Sequence, residues 1–373
     1  MVDSRRLALM VWIAGGLPLG GFAQTPAPAA GELAPLRGRA PTDADRRTLT
    51  QWIDKQIQAA ATREPQNLAA FRRAFLDEWT ATGTAEAYRQ ALADLAAEAF
   101  AKAVADPKNA QGRGALLCGM MMSLLGDMAR PSAVPAALAG LTHPAEVVRN
   151  RAARCLGRIE AIPPAELPRV LSALQTAAGK EPNGWALWEM GATLAAKAPA
   201  EEAIKRLSAI LKARLTAYQN RDLKASYGDA AAIDALGRLI ERAGANPPPS
   251  AVQVLAAILK AATLNYVDLS TQGNEQDHAS IEVQHLELVI DSAERALTAA
   301  MKGRGTAPAQ IPAIMAKIRT AADTKTEDVN KELARWIGAP GTPGILNQDP
   351  FKLPAGLPDV VVAPPTTTAP AAK

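Results

Sequence analysis

The residues able to do chemistry in this chain are few and widely spaced. It holds three histidines. His278 and His285 stand seven positions apart, with Asp277 and Glu282 beside them, so a metal site built on Asp277, His278 and His285 is one reading of the polar stretch 268–280. No H-E-x-x-H or equivalent spacing supports it, and a solvated loop accounts for the same residues. His143 stands alone beside Pro144 and reads as a turn or helix-start residue. Arg151, Arg154 and Arg158 recur at three and four positions, on one helix face where a carboxylate or phosphate could lie across them. An ordinary solvated face is the simpler account. Trp185 and Trp188, at i and i+3, either line a ligand groove or anchor the core. Aromatics are only 4% of the chain, which favours the core. Cys118 and Cys155 either pair as a disulfide or pack as two small buried hydrophobes. There is no phosphate-binding glycine loop, no G-x-S-x-G elbow and no C-x-x-C pair. The residues therefore point to no catalytic group and no cofactor.

The elements that must position these side chains are helices. Alanine is plentiful while valine, isoleucine and aromatics are sparse, which favours close-packed helices over a sheet. Thr42-Asp43-Ala44-Asp45 places a capping hydroxyl and carboxylates ahead of Leu49, Trp52, Ile53 and Ile57, which share one helical face. Leu68, Phe71, Phe75 and Trp79 predict a second helix, and Tyr88, Leu92 and Leu95 a third. From residue 112 to about 243, helix-length segments are cut by Pro131, Pro144, Pro163-Pro164, Pro182 and Pro199, each suited to the first turn of a helix. Further helices are expected between about 250 and 337, closed by Gly338.

The clearest unit covers residues 132–159. A first helix carries Val134, Leu138 and Leu141, a Thr142-His143-Pro144 turn follows, and a second helix presents Val148, Ala152, Cys155, Leu156 and Ile159. Pro144, Val148, Arg149, Ala152, Ala153, Leu156 and Gly157 fit the pattern P-x-x-x-V-R-x-x-A-A-x-x-L-G. This unit resembles a HEAT repeat, in the short form also found in phycobilisome lyases. The resemblance implies that the paired alanines permit close helix approach and that Arg149 ties adjacent repeats through an Asp in the turn. Here His143 stands where that Asp is often found. Ala235-Leu236-Gly237-Arg238-Leu239 echoes Cys155-Leu156-Gly157-Arg158-Ile159, and helix-pair periods of this kind are those of solenoids. The expected fold is all-α: an irregular α-solenoid of stacked antiparallel helical hairpins, a HEAT-like superhelix.

Arg5 and Arg6 precede an apolar run at 7–14 and a stretch ending Gly21-Phe22-Ala23, which reads as a secretory signal peptide (1–23) cleaved after Ala23. Removing Arg5, Arg6 and Asp3 takes the formal charge from +4 to +3, too little to mark a nucleic-acid binder. Residues 24–41, rich in Ala and Pro, are expected to form a disordered leader, 42–337 the helical-repeat domain, and 338–373 a disordered Pro/Thr/Ala tail. No stable membrane anchor is expected after cleavage. The reading that follows is an exported periplasmic or secreted bacterial protein, non-enzymatic, that binds another protein or scaffolds the cell envelope. The alternatives are a metal-dependent or other enzyme centred on 268–285 and a purely structural envelope component.

Overall fold

Thr42 opens the first helix as its sequence predicts. Its hydroxyl accepts the Asp45 N–H (3.3 Å) while the Asp45 carboxylate accepts the Thr42 N–H (2.8 Å). This reciprocal cap satisfies donors that a helix start otherwise leaves free. The computed structural model describes residues 32–62, 66–244, 247–272, 281–320, 326–358 and 360–362. Among them the regular structure is helical, with one isolated bridge between Ala339 and Thr342. The helices are α1 (Asp43–Ala61), α2 (Gln66–Thr80), α3 (Glu86–Ala105), α4 (Gly112–Met128), α5 (Val134–Gly140), α6 (Glu146–Arg158), α7 (Leu167–Ala178), α8 (Gly184–Lys197), α9 (Ala200–Gln219), α10 (Ser226–Ala243), α11 (Pro249–Gln272), α12 (Ile281–Lys302), α13 (Ile314–Thr320) and α14 (Thr326–Ile337). The chain is all-α.

From α3 to α12 the packing has a simple rule: each helix packs on the helix two places on. Thus α3 packs on α5, α5 on α7, α7 on α9 and α9 on α11, while α4 packs on α6, α6 on α8, α8 on α10 and α10 on α12. The second row is drawn close by small residues. A Cβ on Gly157 of α6 would meet Thr193 Oγ1 of α8 at 2.8 Å, and one on Gly237 of α10 would meet Ala296 Cβ of α12 at 2.9 Å. The two Leu-Gly-Arg echoes therefore share one task, backbone approach to the following helix of the row. Before this region, Trp52, Phe71, Phe75 and Phe100 of α1 to α3 form an aromatic cluster with ring centroids 4.9 to 5.9 Å apart. After it, buried Glu294 of α12 accepts the Ile314 and Met315 N–H groups and the Trp336 indole N–H (3.2 Å), tying α13 and α14 to α12. By length and composition α11 could cross a membrane, but 67% of its apolar window is buried among the other helices.

Three stretches differ from the expectation. Within the leader expected over 24–41, Leu33 is 2% exposed and the Arg37 guanidinium grips Glu78 through two bonds of 2.8 and 2.6 Å. One Leu and one Arg serve a cluster in α2 and α3 that average composition does not reveal. The tail expected to be disordered begins at 338. Gly338 does close α14 with φ 81°, but Leu346, Phe351, Leu353, Leu357 and Val360 are then buried. Lys260 of α11 holds this segment by donating to the carbonyls of Gly356 (2.7 Å) and Leu357 (2.8 Å). Finally, the polar stretch 268–280 is not all loop, because α11 runs to Gln272 and Asp268 pairs with Arg221.

Candidate functional site

The HEAT-like unit supplies the first anchor. Arg149 of α6 donates to His143 O (2.9 Å) and Pro144 O (2.6 Å) in its own turn, and its guanidinium meets both oxygens of Glu181 at 2.7 Å. Glu181, buried in the α7–α8 turn, also accepts the Asn183 N–H (2.9 Å). The bridge between units therefore runs from Arg149 to the following turn, and its carboxylate holds the guanidinium above its ordinary pKa. Glu181-Pro182 repeats His143-Pro144 one unit later, a signal that sequence reading passed over. The chain of contacts continues: Arg214 of α9 donates to Glu181 O (3.1 Å) and to Asp229 of α10, and Tyr218, which also bonds Asp229, offers its carbonyl to Asn265 of α11.

His143 plays the turn part. Its Nδ1 accepts the Ala145 N–H at 3.0 Å, leaving the proton on Nε2, and burial lowers its pKa. As pH falls through the ordinary imidazole value of about 6.5, the unfolded chain gains a proton that the folded chain resists. His143 therefore withdraws stability as the solution is acidified. His143→Asn keeps a turn acceptor and titrates nothing. Its melting temperature is expected to drop less than that of the wild type between about pH 7.5 and 5.5, and equal drops would show that His143 is not the linked group.

The tryptophan pair is not in the core. Trp185 is 56% and Trp188 44% exposed. Helix α8 buries Ala186, Leu187, Met190, Gly191 and Leu194 against its neighbours, and 185 and 188 fall on the face left over. Local anchoring is firm, since Asn183 caps α8 by accepting the Trp185 and Ala186 N–H groups (3.0 and 3.1 Å) and donates to Glu146 of α6 (2.8 Å). Asn150 of α6 donates to Trp185 O (2.9 Å). Across the row, the Tyr227 ring of α10 meets Trp185 edge-on at 5.5 Å and His285 of α12 at 4.8 Å. The approach is possible because Gly184 has no side chain, as a Cβ there would lie 2.3 Å from Tyr227 Cζ. Ile281 and Leu288, 69% and 52% exposed, lie one turn either side of His285. The result is an aromatic and apolar stripe, Trp188–Trp185–Tyr227–His285, crossing three helices near their starts.

The arginine face borders a second concavity. Arg151, Arg154 and Arg158 of α6 face Arg72 of α2 across a cleft of about 490 Å³ floored by α4. Sequence spacing placed the first three together, and Arg72 joins them only through the fold. For the metal reading, His285 lies beside an aromatic ring and burial lowers its pKa. Asp277 and His278 lie outside the described residues, and among those described no group of three or more His, Cys, Asp or Glu is placed to hold an ion. The cysteines are free and buried, so the disulfide reading is not realised; burial pushes the Cys118 thiol up to about 11 and the Cys155 thiol to about 12. No protein-family model matches the chain, and no curated protein matches it.

Proposed function

We propose that this chain is an exported helical-repeat protein, a HEAT-like α-solenoid of stacked hairpins, that acts without catalysis by binding another protein in the cell envelope or outside it. The repeating contact rule from α3 to α12 supports the solenoid reading, as does the bridge from Arg149 to Glu181. The signal-like segment 1–23 supports export. The observation that carries the binding role is the exposed stripe through Trp185, Trp188 and Tyr227. Two tryptophans open to solvent on the capped start of one helix are a large apolar area at low entropic cost, the usual anchors of protein interfaces.

The test uses the full chain with a tag after Lys373. Terminal sequencing of the exported form is expected to begin at Gln24; a protein that stays in the cytoplasm with its first residues intact removes the export half of the reading. Capture from envelope and secreted fractions is then run with the wild type and with Trp185→Ala/Trp188→Ala. Since both side chains are exposed, the variant should melt as the wild type does. A protein held by the wild type and released by the variant supports the stripe as the docking surface. Equal retention by both rejects it.

A further inference from the structure

The cleft between α2, α4 and α6 is built differently from the stripe. Along α6, Val147, Arg151, Arg154 and Arg158 succeed one another at four, three and four positions and form one wall. Leu68 and Arg72 of α2 form the other, and Leu116 and Met120 of α4 contribute apolar floor, Leu116 being 53% exposed. Four guanidinium groups stand here against one carboxylate, Asp127. Asp127 is fully engaged, bonded by Arg72 (3.2 Å) and by Arg158. Arg151 and Arg154 have no carboxylate partner among the described residues, although Arg151 is half-buried. Like charges gathered beside apolar surface raise each other's energy until an anion arrives.

We infer that this cleft binds an acidic amphipathic segment of a partner protein, with its carboxylates on Arg151 and Arg154 and its apolar side chains on Leu116, Met120 and Leu68. The mixed lining selects this occupant. A free phosphate or a nucleic-acid backbone would use the guanidinium groups and leave the apolar floor wet, whereas an apolar helix would bury unpaired charge. Arg151 and Arg154 are offset by about 4.5 Å along the helix, which matches carboxylates one turn apart on a partner helix. Guanidinium forks suit such carboxylates because they bind them bidentately. The inference stands on this cleft and does not depend on the tryptophan stripe.

The test is fluorescence-anisotropy titration of the intact folded protein with a labelled peptide of about twelve residues, carrying Glu at i, i+3 and i+7 with Leu on the same side. A peptide with Lys in place of Glu, inorganic phosphate, a single-stranded DNA oligonucleotide and anionic phospholipid vesicles serve as competing probes. Expected are saturable binding of the Glu peptide that weakens with salt, and a loss on the order of 10- to 100-fold in affinity in Arg151→Glu/Arg154→Glu. That variant should bind the Lys peptide better than the wild type does, a reversal that a folding defect does not produce. Leu116→Asp should weaken the Glu peptide while leaving the arginines in place. Absence of binding, binding unchanged in the charge-reversed variant, or arginine-dependent binding of DNA or vesicles tighter than that of the Glu peptide would each overturn the inference.

Discussion

Replacing Asp229 by alanine is expected to remove about 3–5 kcal/mol of folding stability, the cost of leaving one member of a buried ion pair alone. Asp229 is 0% exposed and accepts from Arg214 Nε (2.9 Å), Arg214 Nη2 (3.3 Å) and the Tyr218 hydroxyl (2.9 Å). Without the carboxylate, a guanidinium and a phenol lie buried with most of their bonds unmade. The repulsion of that arrangement from the core, more than the lost attraction, sets the size of the effect. The measurement is the denaturant midpoint by circular dichroism, with a double variant Arg214→Met/Asp229→Leu as control. The double variant removes both charges together and should lose markedly less than Asp229→Ala alone. A single-variant cost below about 1 kcal/mol would mean that water reaches the pair, contrary to its burial.

Glu181→Ala is the second large effect, expected at about 2–3 kcal/mol. The Glu181 side chain is 1% exposed but Arg149 is 13% exposed, so the abandoned guanidinium can still reach some water, and the cost is set below that of Asp229. The change also strips the Asn183 N–H of its acceptor at the turn that leads into the Asn183 cap of α8. Because that cap positions Trp185, the Glu181→Ala protein should show a red-shifted tryptophan emission even well below its melting temperature. Arg149→Ala leaves Glu181 bonded to the Asn183 N–H, so its emission should shift less. Identical spectra for the two variants would break the proposed link between this bridge and the aromatic stripe.

The helices were legible in the sequence because a helix is decided within about four residues: Thr42 with Asp45, Gly338 after Ile337, and the proline-cut segments of the middle region state their starts and stops locally. The shared face of Arg151, Arg154 and Arg158 was legible for the same reason, and so was the pairing of Trp185 with Trp188. Spacing says that two side chains share a face; it does not say which face a neighbouring helix will cover. The scarcity of aromatics suggested the core for the tryptophans, but α8 lies between α6 and α10 and packs on α7 and α9, and what remains uncovered is the side bearing Trp185 and Trp188. The same limit applies to Arg37 with Glu78 and to Lys260 with the carbonyls near Leu357, whose partners lie far along the chain and carry no periodic signal.

That this protein is helical, where most of its helices begin and end, and which side chains ride together can be read from residue order, since those are properties of local backbone geometry and capping. Packing of the helices against one another sets the rest: the tryptophans face solvent, Arg72 completes an arginine-lined cleft, the Glu181 carboxylate rather than a side chain at position 143 receives Arg149, and the cysteines stay apart. Each of these depends on which surfaces are brought together and which are left to water, a choice made by the whole packed core.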